Sequence, residues 1–349
     1  MLIGVLIVFF IFAAAGAKEN GIVASVLLVL YWLVVRKHTQ WRPWLILIIA
    51  GLTATGVFMI ARFTLIPSES MISIHKAVYI GGSFSAMLFF IEPRILAFQL
   101  LEIVWPGLFC AYYASNYISF ITLPAALGAL AVLIVITVIL NLKNKAFALG
   151  IIFYILAILP VSNLVPIYNP IADRYLYLPM AGICMALGAL LCRLKAPAGK
   201  RIWAVIITSA AVYIFLGSFT VQRIHVWHNN LSLWKDTVTK NPYSKECYNN
   251  LGFTFYAMGE YDKAEKAFQK ACELLPIHSD PFAGLSLSFA GLALTYDAMG
   301  QTALADDFLR KAISLNKSYA SYDSLMQTRS WDPSLAKKIQ AIASRVSQP

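Results

Sequence analysis

The sequence predicts an all-α protein: a polytopic bundle of transmembrane helices over residues 1–221, followed by a short α-solenoid of helical repeats. Three observations predict it. Of 349 residues, 59% are hydrophobic and 13% charged, about half the charge of an average soluble domain. Residues 1–221 hold five of the 17 acids, at Glu19, Glu69, Glu92, Glu102 and Asp173. Beyond residue 244, a helical pattern recurs in units of 34 residues.

Charge excludes one class of function. Fourteen of the 28 basic residues lie on each side of residue 221, so the first part carries a net +9 and the second +2. A basic excess can signal nucleic acid. Here the cations sit in short loops between apolar runs, the topology signal of a membrane protein, so lipid is the expected partner and nucleic acid is not. Cys110, Cys184, Cys192, Cys247 and Cys272 show no zinc-type spacing, and no metal site or cofactor follows from them. Cys247 and Cys272 lie in the soluble part, where a location outside the cytoplasm permits a disulfide between them.

A hydrocarbon core takes about 20 apolar residues per helix. Candidate spans cover 1–17, 21–35, 44–62, 118–141, 146–168, 176–193 and 202–221. The first has no basic n-region and reads as a membrane helix rather than a signal peptide. Glu92-Pro93-Arg94 divides 77–111 into one broken helix or two short ones. Three basic loops, at Arg36-Lys37 and Arg42, at Lys143 and Lys145, and at Arg193 to Arg201, face the cytoplasm by the positive-inside rule. That orientation needs two crossings in 77–111, or none, and two are expected. Everything after 221 then lies outside the cytoplasm, in a periplasm or ER lumen.

The soluble part begins with a junction and lead-in helix, 222–244, containing Leu233, Trp234 and Pro242. Residues 245–319 hold two repeat units. In 245–278, Tyr248, Leu251, Gly252, Phe255, Gly259, Ala264, Phe268, Ala271 and Pro276 occupy every diagnostic position of a tetratricopeptide repeat (TPR). Gly252 and Ala264 let two antiparallel helices approach, and the larger side chains fill the seam. A second unit, 286–319, places Leu292, Ala293, Tyr296, Gly300, Ala305, Leu309 and Ala312 in register. The seven residues between the units make two helical turns, which predicts a lengthened helix. In the capping region 320–349, Asp332 and Pro333 mark a helix start, and Leu335, Ile339, Ile342 and Val346 form one apolar stripe. Such an array presents a surface for a protein or peptide partner.

Chemistry is expected where polar residues interrupt apolar runs. Residues 159–179 carry Asp173-Arg174 and the tyrosines Tyr168, Tyr175 and Tyr177 among several prolines. Backbone of this kind at membrane depth must face water or protein. Arg174 suits a phosphate, as a forked donor, and the tyrosines suit the walls of a sugar site. A pairing of Asp173 and Arg174 with other helices fits the residues equally well. Lys18-Glu19 forms a smaller cluster, for which an interfacial turn is the simpler role.

These residues carry a family resemblance. Pro160, Ser162-Asn163, Ala172-Asp173-Arg174-Tyr175, Tyr177-Leu178-Pro179 and Gly182 resemble the signature of the transmembrane-and-TPR O-mannosyltransferases, of the GT-C superfamily of glycosyltransferases. Lys18-Glu19 with Gly21 resembles that family's short Lys-Glu motif. Pro106-Gly107-Leu108 with Tyr112-Tyr113 resembles its Pro–Leu–Tyr element. Trp227, Trp234, Asn241-Pro242 and Tyr248 to Gly252 resemble its junction into the repeats. Met180 stands where the family has a small polar residue. The family's acidic first extracytoplasmic loop has no counterpart here, so the chain resembles an N-terminally shortened member.

The resemblance implies transfer of a sugar, typically mannose, from a polyprenyl-phosphate donor to Ser or Thr of exported proteins. It implies donor contacts at Arg174, Asp173, Tyr175, Tyr177, Lys18 and Glu19, with Arg174 as the phosphate-side cation, and leaves the catalytic base unassigned. A non-catalytic, membrane-anchored TPR scaffold for envelope assembly is the alternative expectation.

Overall fold

The computed structural model describes residues 83–113, 120–141, 145–162, 171–193, 197–274, 281–328 and 331–347, with isolated positions between 45 and 60. All regular structure among them is helical. The chain divides into two compact units, Met1–Pro106 with Phe120–Ile214, and Gly107–Ser119 with Phe215–Pro349.

In the first unit a helical run starts at Phe84–Ala86, widens into a π-helical turn at Met87–Ile91, and continues as α1 (Glu92–Val104). Pro93 has no N–H to donate and would break an ordinary helix interior. Here it falls in the first turn of α1, directly after the π turn, and the run passes through it unbroken. The expected pair of crossings in 77–111 is therefore not met among the described residues. They hold a single run, roughly 31 Å long at 1.5 Å per residue.

α2 (Leu123–Asn141), α3 (Lys145–Ile158) and α4 (Pro179–Leu191) follow, with 3-10 turns at Leu159–Val161 and Asp173–Leu176. α3 and α4 meet through glycines. A Cβ on Gly150 would stand 2.6 Å from Gly182 O and Ala186 N, so the backbones touch with no side chain between them, as small-residue faces allow. α5 (Ala198–Val226) contains one stretch, Ile202–Val226, that is long and apolar enough to cross a membrane; α2, α3 and α4 are apolar but shorter.

The side chains of this unit are distributed inside-out. Val132, Ile134, Val135, Ile139, Ile155, Ile206 and Ile207 are exposed, while Glu92, Gln99 and Glu102 are buried. A water-facing surface rarely carries so much contiguous apolar area.

The second unit is a stack of antiparallel helices. α6 (Asn230–Lys240) leads in. α7 (Lys245–Ala257) pairs with α8 (Tyr261–Glu273), and α9 (Pro281–Ala298) with α10 (Thr302–Leu315). A 3-10 turn at Lys317–Ala320, α11 (Tyr322–Thr328) and α12 (Pro333–Val346) close the stack. Local chemistry sets the helix starts. Asn229 and Ser232 form a capping box, Ser244 accepts from Cys247 N, and Asp332 accepts from Ser334 N. Both inter-helix turns use a glycine at φ 77°, Gly259 and Gly300, in the left-handed region that a Cβ disfavours. α9 runs 18 residues against 13 in α7, which realises the lengthened helix.

Leu251, Phe255, Ala264, Phe268 and Ala271 are buried in the seam, Tyr248 only partly, and Pro276 lies outside the described residues. Cys247 and Cys272 are free thiols rather than a disulfide. Burial pushes both thiols up, Cys272 to about 11, so neither is a thiolate at neutral pH.

Phe268 is fully buried between two glycines. A Cβ on Gly252 would stand 2.7 Å from its ring, and one on Gly291 would overlap it. Gly252→Ala and Gly291→Ala should each destabilise the array by about 1–3 kcal/mol through overpacking, read as a lower unfolding temperature. Adding Phe268→Leu should recover part of that loss; no recovery would show that the ring is not the obstacle.

Candidate functional site

The Asp-Arg-Tyr stretch folds as a 3-10 turn, Asp173–Leu176, entered from extended backbone at Ala172. Tyr175 N donates to Ala172 O at 2.9 Å. Pro179 then opens α4 at a position where a missing N–H costs nothing. The turn sorts its side chains sharply. Arg174 is exposed and Asp173 half-buried. Tyr175 is buried with Tyr154, Ile158, Val161, Ala172 and Leu176. Tyr177 is 90% exposed. Of the three tyrosines expected as walls, Tyr175 is a core residue, Tyr177 stands clear of that core, and Tyr168 lies outside the described residues. The Arg174 guanidinium lies over the Tyr175 ring at 5.1 Å, and among the described residues it forms no ion pair. Lys18 and Glu19 lie outside the described residues.

Sequence reasoning missed a polar stripe on α1. Glu92, Gln99 and Glu102 are 5%, 2% and 0% exposed. Their spacing of seven and three places them on one helical face. The opposite side of the run exposes Phe89, Phe90, Leu101 and Val104. Leu96, Leu100 and Ile103 of α1 pack on the core that holds Tyr154 and Tyr175. The spacing was the available signal, obscured by Pro93.

A second constellation forms in the other unit. The Pro–Leu–Tyr element, with its 3-10 turn at Pro106–Leu108, is closed by Tyr113, whose hydroxyl accepts from Cys110 N at 2.8 Å. Lys240 Nζ donates to Phe109 O at 2.8 Å, and Asn241 Nδ2 to Tyr112 O at 3.3 Å. Asp236 holds Lys240 at 3.2 Å and Arg223 at 2.8 Å. Two stretches about 130 residues apart that carried the family resemblance thus meet in one hydrogen-bonded cluster.

Comparison with known proteins agrees with this architecture. Models described as tetratricopeptide repeat match residues 246–278 and 288–319. Protein O-mannosyl-transferase F38B6.6 of Caenorhabditis elegans is 29% identical over 180 residues, covering 50% of this chain and 26% of that protein. The resemblance read from the sequence holds. Protein O-mannosyl-transferase Tmtc2 of Drosophila melanogaster is 28% identical over 130 residues, 37% of this chain and 14% of its own length. Its Xenopus laevis namesake is 31% identical over 120 residues, 34% and 14%. The chain spans about a quarter or less of the length of the relatives it matches. No solved structure matches.

Lys240 is the strongest link to the Pro–Leu–Tyr element, as a charged donor worth about 1.5–3 kcal/mol. Lys240→Met should speed amide hydrogen exchange across 107–113 by about tenfold or more, while α7 and α8 keep their protection. Unchanged exchange at 107–113 would show that the contact does not hold the element.

Proposed function

We propose that this chain is a membrane-embedded, GT-C type glycosyltransferase unit that moves a sugar, mannose by its resemblance, from a polyprenyl phosphate to Ser or Thr of exported proteins, with the TPR array receiving the acceptor. The observation that carries it is Arg174: a guanidinium exposed on a 3-10 turn, in the stretch that resembles the transferase signature, within an otherwise apolar unit. The relatives' names support the reaction class.

In this reading the acceptor hydroxyl oxygen bonds to the anomeric carbon as the bond from that carbon to the phosphate oxygen breaks. Arg174 neutralises the departing phosphate, and a carboxylate takes the hydroxyl proton. Asp173, Tyr175 and Tyr177 support the donor side, Tyr175 from beneath Arg174. Lys18 and Glu19 are a second proposed donor cluster.

The inside-out side chains support a polytopic bundle. With a single helical run at 84–104, the charge-based orientation is kept if that run lies along the bilayer surface without crossing. Phe89, Phe90 and Trp105 then face lipid and the stripe of Glu92, Gln99 and Glu102 faces protein. The TPR array falls outside the cytoplasm.

The test is sugar transfer by the full-length protein in lipid. Arg174→Ala should lower transfer by about 100-fold or more, the order expected for one group stabilising transition-state charge. Arg174→Lys should retain part of it, and the unfolding of the TPR array should not change. Undiminished transfer by Arg174→Ala refutes the phosphate role. Retention of a protein partner with no transfer from any polyprenyl-phosphate donor would establish the scaffold instead. Thiol labelling that finds residues beyond Arg223 inside the cell would overturn the orientation.

A further inference from the structure

A cavity of about 520 Å3 opens between α6 and α7, within the range of ligand-sized sites. Its walls are three carboxamides, Asn229, Asn230 and Asn250, and three large apolar side chains, Trp234, Phe253 and Met258. No residue lining it is ionisable, although the chain has 28 basic and 17 acidic residues. It begins three residues after Val226, where the apolar helix α5 ends.

Two of the three carboxamides, Asn230 and Asn250, have no structural task among the described residues, and Asn229 has one, as the cap of α6. Asn249 shows the contrast: it is buried, its Nδ2 donates to Gly284 O at 3.1 Å, and its Oδ1 accepts from the Ser288 hydroxyl at 2.8 Å. Its neighbour Asn250 lines the cavity, and among the described residues neither its carboxamide nor that of Asn230 makes a hydrogen bond. Asn229 uses its Oδ1 to cap Ser232 N and keeps its NH2 group. A carboxamide offers one acceptor and two donors, so it can pair with both the C=O and the N–H of a backbone that is extended and unpaired. Of the two lysines on α6, Lys240 is held by Asp236 and Phe109 O, and Lys235 lies 5.9 Å from the Phe255 ring; neither lines the cavity.

We propose that this groove binds an extended, uncharged, hydroxyl-bearing polypeptide segment, with its backbone on the three carboxamides and one aliphatic or aromatic side chain against Trp234, Phe253 and Met258. The assignment rests on the acceptor-receiving role proposed for the array, and names the segment it takes. A peptide ending in a free carboxylate, or carrying phosphate, would need a cation that the lining lacks.

The test uses the full chain in lipid nanodiscs and fluorescence anisotropy of a labelled, end-capped twelve-residue peptide of Ser, Thr, Ala and one Leu. A second peptide has Asp in place of each Ser. The wild type should bind the neutral peptide and prefer it over the acidic one. Ala257→Arg, at an exposed position of the lining, and Asn250→Asp should each weaken binding by about tenfold or more without lowering the unfolding temperature. No binding by the wild type, equal or tighter binding of the acidic peptide, or unchanged binding by both variants would overturn the proposal. So would self-association of the chain that displaces the peptide and is lost in Ala257→Arg, because the occupant would then be a second copy. Sugar transfer is read on the same preparations. Transfer without peptide binding sinks the groove and spares the transferase reading; binding without transfer does the reverse.

Discussion

The array depends on one ring. Phe268, with no exposed surface, sits where Gly252 of α7 and Gly291 of α9 give up their side chains. Three helices converge on it, and the missing Cβ atoms bring their backbones within reach of one aromatic. The contact continues outward in edge-to-face steps. Phe253 meets Phe268 at 4.9 Å, Trp331 meets Phe253 at 5.8 Å, and Tyr319 meets Trp331 at 5.8 Å. Each such pair adds about 0.5–1.5 kcal/mol beyond its buried area. The chain of rings also fixes Phe253, a wall of the α6–α7 cavity, from two sides. A wall held this way loses little conformational entropy when a ligand arrives, which is what lets a small site bind at all.

Much of this unit was legible because repeats are local. The seam residues, Gly259, Gly300 and the caps are set by neighbours within one helical hairpin, and a 34-residue pattern records them. What was not legible came from distant pairs. Trp331 reaches Phe253 across 78 positions, and Phe109 reaches Lys240 across 131. Nothing in the spacing of either segment announces its partner. The seven residues between the two repeat units did predict a longer helix, but the role of Gly291 within that helix appears only when Phe268 is seen against it.

In the apolar unit the errors have plain causes. Pro93 was read as a divider, but the π turn at Met87–Ile91 directly precedes it, and the wider turn carries the helical run past the missing N–H. Reading a break there hid the single face shared by Glu92, Gln99 and Glu102. Tyr175 and Tyr177 part for a geometric reason. Tyr175 lies in the 3-10 turn and Tyr177 caps it, and at about a third of a turn per residue the two leave it on different sides. Burial of Tyr175 and exposure of Tyr177 follow from that separation and from the apolar core on one side only.

The same geometry leaves Arg174 suited to an anion. It sits one position before Tyr175, and its guanidinium rests over that buried ring rather than against a carboxylate. A cation above an aromatic ring is attracted without giving up its N–H donors, and those donors are what a phosphate engages. An ion pair would have occupied them and neutralised the charge. Lysine at this position would carry the same charge without the planar fork of donors that arginine offers.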